Sequence, residues 1–458
     1  MVGFRYFGLL AAFSFFLYGN WESAGEALKA NSPSSDAGFG QSVAVGSLFA
    51  VVGEPESGRH GTIYIFKKEN EKWVPMQMID IPEAAHNSPN RSDLIKSFGW
   101  SVALAESSYL PQSYPPMIAV GAVKSYWSGT DAPDGNRVQT GAVCPYILNG
   151  NQWEAVQPCI MEDAEGGLGF DVDLSNWTEL VWDPVENKLV FKSYAYMVAG
   201  NPYFDGDETD EGAAFLYKYN SSDKKWELTI VFRDTEGKEF QLLGKSVAID
   251  KNHILVGAPD YGLNAFSSHN GKVFHYLTDG TLKETLFYPD EIGFRATDLR
   301  FGASLDMSGD YAIIGSLSTY REGYAGSAFV YHLENNGTMK WIERLNGSII
   351  DDSNDDDGYG LSVSITNHFA VVGAPYYHTE DNSGNRDEHG AVFIYRKDDS
   401  GNWNEIRHFI GASDSKLGTS VSLFYDGLMV GVPNKEEVQY YKYINTDASI
   451  PIIMYLLH

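Results

Sequence analysis

Carboxylates and aromatic rings crowd into a few loops of this chain, and they are its best candidates for binding chemistry. Asp205, Asp207, Glu208, Asp210 and Glu211 fall between Pro202 and Gly212. Glu380, Asp381, Asp387 and Glu388 fall between Pro375 and Gly390, and Asp351, Asp352, Asp355, Asp356 and Asp357 form a third run. Asp131 and Asp134 add a fourth. Carboxylates one or two residues apart in a loop can wrap a hard cation such as Ca²⁺, which takes about six to eight oxygens. Asp205, Asp207 and Asp210 are the best candidate metal trio, and calcium is the only cofactor suggested. No full D-x-D-x-D-G loop with a closing acid accompanies them. The alternative is a set of solvated acidic loops that keep the protein soluble.

Tyr126, Trp127, Tyr203, Phe204, Tyr261, Tyr320, Tyr376 and Tyr377 stand beside these runs. Rings next to carboxylates suit a sugar or a basic peptide; the bland reading is that they cover sheet edges. No nucleophile–base constellation, HExxH, GxSxG or phosphate-cradling loop stands out. His378 and His389 flank one acidic loop and read as ordinary polar loop residues.

What must position these loops is a repeat. From Tyr359 to Tyr395 the chain reads YGLSVSITNHFAVVGAPYY, a polar loop, then GAVFIYRK. Two alternating apolar runs, Leu361 to Ile365 and Phe369 to Val372, flank the turn Thr366–Asn367–His368, which predicts a β-hairpin. A third strand follows at Ala391 to Tyr395, and a fourth near Trp403. The opening motif recurs at Gly40, Gly99, Gly169, Gly244, Gly302, Gly360 and Gly418, with spacings of 59, 70, 75, 58, 58 and 58 residues. A second landmark ends at Pro55, Val123, Pro202, Pro259, Leu317, Pro375 and Pro433. Trp73, Trp153, Trp226, Trp341 and Trp403 mark most fourth strands.

A unit of this size with four short antiparallel strands cannot bury both faces alone, whereas seven arranged round an axis can. The expectation is an all-β, seven-bladed β-propeller over residues 28–458, closed by a terminal strand, with Ile450 to Leu457 the candidate. In a four-stranded meander the connections alternate between faces. Every long acidic loop therefore shares one face with the inter-blade links.

The seven units resemble FG-GAP repeats, the blades of the integrin α-subunit head. The run Ser125 to Trp127 and the spacing of Cys144 and Cys159 are similar to that family's second blade, and the resemblance places the pair on adjacent strands as a disulfide. Such a bridge is worth about 3 kcal/mol by the chain-entropy estimate; two free buried thiols are the alternative. In integrin heads the residue after each motif glycine lines an aromatic cup that accepts a cation from the β subunit. Here those residues are Gln41, Trp100, Phe170, Lys245, Ala303, Leu361 and Thr419. Trp100 and Phe170 suit such a cup or simple packing between blades. Lys245 opposes an incoming cation, so an integrin β-like partner is not expected. The family's calcium loops lie in the first hairpin of the later blades. The turns at Asp250–Asn252, Ser308–Asp310, Thr366–Asn367 and Tyr425–Gly427 are too short for them.

The formal net charge of −28 argues against nucleic acid as a partner. Arg5 followed by the apolar run Phe7 to Tyr18, with small residues at Ala24, Gly25 and Ala27, reads as a signal peptide over 1–27 rather than a membrane anchor. The same run is short for a span, so no membrane span is expected. Two cysteines and sequons at Asn90, Asn176, Asn220, Asn336 and Asn346 fit a secretory route. The expected function is a secreted or cell-surface, non-enzymatic binding protein for an extracellular protein or glycan. Its ligand-binding residues would be Trp100, Tyr126, Trp127, Phe170, Tyr203, Phe204, Tyr376 and Tyr377. The rivals are a polysaccharide- or lipid-acting enzyme, such as a metal-assisted lyase or hydrolase, and a purely structural surface protein.

Overall fold

β-Branched and aromatic residues in alternation, cut by glycine and proline turns, give strands and little else. The computed structural model describes residues 19–445, apart from 31–36, 59, 82–94, 107–112, 125, 128–137, 163–165, 236, 238, 263–269, 290–298, 318–325, 351–356 and 381–385. No α-helix occurs among the described residues, and no helix is long and apolar enough to cross a membrane. Among the described residues six antiparallel sheets of four strands follow one another in sequence, and a seventh blade adds strands from the N-terminal end. Blade one is Ser42–Val45, Phe49–Glu54, Thr62–Glu69 and Lys72–Asp80, each strand paired to the next. Blade six repeats this with Ser362–Ile365, Phe369–Ala374, Ala391–Lys397 and Trp403–Ile410. The five marker tryptophans all fall in fourth strands.

The innermost strands touch in an unbroken cycle, the seventh against the first. Two glycine positions make that approach close enough. The motif glycines adopt φ between +80° and +92°, a region that side chains disfavour. The glycine of each second landmark faces the carbonyl of the next blade's motif glycine, where a Cβ would stand only 1.9–2.3 Å from that oxygen. A serine two residues after the motif glycine then donates to the same carbonyl. Ser42, Ser101, Ser246, Ser304, Ser362 and Ser420 do so at 2.7–2.9 Å, and Ser420 to Gly40 joins the last blade to the first.

The closing strand comes from the other end of the chain. Blade seven is Val421–Phe424, Gly427–Val432 and Glu437–Asn445, and its outer strand is Gly19–Ser23, in register from Gly19↔Asn445 to Ser23↔Tyr441. Leu28–Lys29 pairs with the start of Glu437–Asn445. The reason is burial: Trp21 is fully enclosed between Phe369 and Tyr443, at ring separations of 5.2 and 5.8 Å. The folded unit thus begins before residue 28, and a cleavage at residue 27 would remove this strand. Ile450 to Leu457 lies outside the described residues.

Cys144 and Cys159 form the disulfide. Cys144 lies in the third strand of blade two, and Cys159 follows the short fourth strand Gln152–Ala155, beside the mutual backbone pair of Val143 and Ile160. Of the sequons, Asn220 ends the strand Ala213–Asn220, Asn336 sits in a turn and Asn346 is exposed. Asn176 lies within a strand, its amide donating to the Pro115 carbonyl at 3.3 Å, which leaves it poorly placed for a glycan. Asn90 lies outside the described residues.

Candidate binding surface on the loop face

The strand order sends the second-to-third loops and the inter-blade links to one face, as the alternation requires. The residues after the seven motif glycines are all half-buried, consistent with a shared mouth at the axis. Trp100 meets Phe170 edge-on at 5.7 Å, and Phe170 meets Tyr203 at 6.0 Å. Lys245 places its Nζ 3.9 Å from the centre of the Phe170 ring. Burial lowers the lysine's pKa, with Arg300 adding to the effect and Asp260 opposing it. The mouth therefore already holds a cation of its own, in the attractive position over an aromatic face.

The other expected ligand residues are dispersed. Phe204 turns inward against Phe215 at 6.0 Å and under the Arg233 guanidinium at 4.6 Å, a packing role. Tyr376 is exposed with Lys416 Nζ 5.7 Å from its ring, while Tyr377 packs on the core of blade six. Both stand three blades from Phe170. Tyr126 and Trp127 form a two-residue strand paired with Val138–Gln139 in the second-to-third loop of blade two. Tyr261 lies beneath Lys272, 3.6 Å from ring centre to Nζ. Tyr320 lies outside the described residues.

Asp205 is occupied locally, accepting the Asp210 N–H at 2.8 Å, while Asp207 is exposed. Asp387 accepts from Ser413 at 2.5 Å and lies 3.6 Å from His389 Nε2; Asp357 is buried 3.1 Å from His378 Nδ1. Among the described residues no three Asp, Glu, His or Cys side chains form a group able to hold a metal ion. Asp131, Asp134, Asp351, Asp352, Asp355, Asp356 and Asp381 lie outside the described residues.

A family model for the FG-GAP repeat matches residues 349–395, the link into blade six and its first three strands. This chain is a seven-bladed propeller carrying an FG-GAP repeat. No curated protein matches the sequence.

The FG-GAP propeller also carries a set of carboxylates that the sequence reading passed over. An innermost strand is an edge strand, so alternate N–H groups lack a ladder partner. Here the preceding blade supplies acceptors. Asp171 and Asp173 of blade three accept from Val247 and Ile249 at 2.8 and 2.7 Å, and Ser175 accepts from Lys251 at 2.8 Å. Asp306 accepts from Ile365 and from Ser364, each at 2.7 Å, and Asp250 accepts from Gly309 at 2.7 Å. Asp171 stands where six other blades have the clasp serine. The signal was legible as an alternation of Ser and Asp at even positions after the motif glycine, but its meaning lies in the next blade.

Burial pushes the Asp171 carboxyl up to about 7 and Asp306 up to about 6, and holds Asp173 well above the ordinary range. Backbone donors pull each one back, and Asp306 raises both Asp171 and Asp173. A carboxyl with a raised folded-state pKa contributes stability below its unfolded value near 4. That contribution is lost as pH rises through about 6 to 7. The propeller should thus melt lower at pH 8 than at pH 5. Asp171→Asn with Asp306→Asn keeps the oxygen that serves the next blade but loses the one that accepts from Val172 or Met307, so it should lower stability at pH 4 by about 1 kcal/mol per site and flatten the fall between pH 5 and pH 8. A melting profile that stays equally steep in the double variant would refute this assignment.

Proposed function

We propose that the loop face binds an extracellular protein or glycan, in a secreted or cell-surface adhesion role. The observation that carries this is the half-exposed arc of Trp100, Phe170 and Tyr203 gathered at the axis, with Lys245 over its centre. Rings of this kind supply large apolar contact at little conformational cost, and the acidic loops around them favour basic or polyhydroxylated ligands. The disulfide and the FG-GAP repeat support an extracellular setting. Because Lys245 fills the position over Phe170, recognition through an incoming integrin β-type cation is disfavoured.

The binding reading is favoured over a polysaccharide- or lipid-acting enzyme because Asp205 and Asp387 stand on blades three and six, each engaged locally. The test is a glycan and peptide array probed with the wild type, Trp100→Ala and Tyr203→Ala. Either substitution should weaken a retained ligand about tenfold or more, the effect of losing roughly 1.4 kcal/mol of contact. Tyr376→Ala, on the opposite arc, should leave binding unchanged. Binding indifferent to Trp100 and Tyr203, or turnover of an arrayed polysaccharide, would overturn the proposal.

A further inference from the structure

Blade three is the longest repeat because its first hairpin overshoots the ring. The strands Val172–Asp183 and Lys188–Asn201 stay paired out to Asp183↔Lys188, while the third strand stops alongside at Tyr196↔Lys218. Asn176 and Thr178 still touch Pro115 and Ser113, and from Glu179 the two-stranded arm runs on for five residues, which at about 3.3 Å each carries its tip roughly 16 Å beyond them. Its base is fixed by Trp177 stacked on Tyr194 at 4.9 Å. On one side of the arm Glu179↔Lys192 and Asp183↔Lys188 flank Val181↔Val190; on the other lie Leu180↔Phe191 and Trp182↔Leu189. Leu180, Trp182 and Leu189 are 51%, 56% and 56% exposed, and Val185 at the tip is 91% exposed. A contiguous apolar strip of this kind on a soluble fold marks an interaction surface.

First-hairpin turns point away from the loop face, so the arm projects from the opposite side. The chain enters and leaves the fold on that same side, where Gly19 pairs with Asn445 in blade seven, across the ring from blade three. The segment after Asn445, which includes the apolar run Ile450 to Leu457, therefore attaches at the face that carries the arm. A second copy fits poorly. Each chain carries −28, and four exposed apolar side chains offer far less than the ~1,200 Å² of a stable interface.

We propose that this face rests on a lipid bilayer, with Leu180, Trp182, Val185 and Leu189 set into the interfacial layer and the loop face turned outward. Tryptophan and leucine on a projecting element are the groups that partition there. Asp223, Asp279, Asp310, Asp398 and Asp426 occupy short turns of the same face and would repel anionic headgroups, so the surface that fits is zwitterionic.

Both cysteines are in the disulfide, so Val185→Cys introduces the one free thiol and takes a polarity-sensitive dye. With the full chain and phosphatidylcholine vesicles, the dye should shift to the blue and be quenched by lipids brominated in their tails. Leu180→Thr with Trp182→Thr and Leu189→Thr keeps strand-forming residues on the hairpin without opposing charges, so it should leave the melting temperature of the ring within a few degrees and lower vesicle partitioning about tenfold or more. Added phosphatidylserine should weaken binding. The proposal fails if the chain does not float with vesicles, or if it floats while the dye spectrum stays unchanged. It fails equally if the triple variant partitions like the wild type, or if the blue shift follows protein concentration without lipid.

Discussion

Alanine at Gly431 should cost about 3 kcal/mol, although it adds one methyl group in the middle of a strand. The added Cβ would stand 1.9 Å from the Gly40 carbonyl oxygen and 2.4 Å from the Ser420 hydroxyl, and the nearer contact is backbone that cannot rotate away. Either the second strand of blade seven or the start of the first blade must shift, which is the overpacking penalty of a close-fitting core. The same shift would pull the carbonyl away from the Ser420 hydroxyl, now 2.8 Å distant. Ser420→Ala alone is the natural companion. It removes one hydrogen bond and no shape, so it should cost about 1 kcal/mol. Urea unfolding of both variants measures the difference. If Gly431→Ala is within half a kcal/mol of the wild type, the glycine contacts do not hold the ring at its present radius.

Trp21→Ala is the second large effect. Trp21 is wholly buried in a cluster with Phe369, Val371, Leu428 and Tyr441, and it touches the rings of Phe369 and Tyr443. Deleting a buried aromatic leaves a cavity that costs about 3–5 kcal/mol. The damage should also be local in its first appearance. With its outer strand loosened, blade seven should lose hydrogen-exchange protection along Glu437–Asn445 before the strands of blades two to five do. Uniform loss of protection, or a variant as stable as the wild type, would mean that Gly19–Ser23 is a passenger on a ring closed by other contacts.

The repeats were legible because local needs recur locally. Each blade requires a left-handed glycine, a small residue under the next blade's carbonyl, and a hairpin, and each leaves its mark at a fixed offset, as at Gly360, Ser362 and Gly373. What escaped had its reason elsewhere in the chain. Gly19–Ser23 read as part of a leader because its partner strand is more than four hundred residues away. The spacing of 75 residues announced extra length in blade three, and LVWDPVENKLVF carries a hairpin pattern, yet nothing local says that no third strand will cover it. For the binding surface, the sequence indicated which residues would share a face but not their distances. It grouped Phe204 with Tyr203, though one ring packs inward and the other meets Phe170.

The seam in blade seven also governs how the molecule comes into being. Gly19–Ser23 is synthesised at the outset, yet its partner Glu437–Asn445 emerges only after six complete blades. Until then Trp21 must wait without a pocket, and the growing arc keeps an open, apolar flank at each end. Such a chain gains its last and most distant contact in a single late step, so the ribosome-bound or freshly released arc is the species most exposed to mispairing with its neighbours.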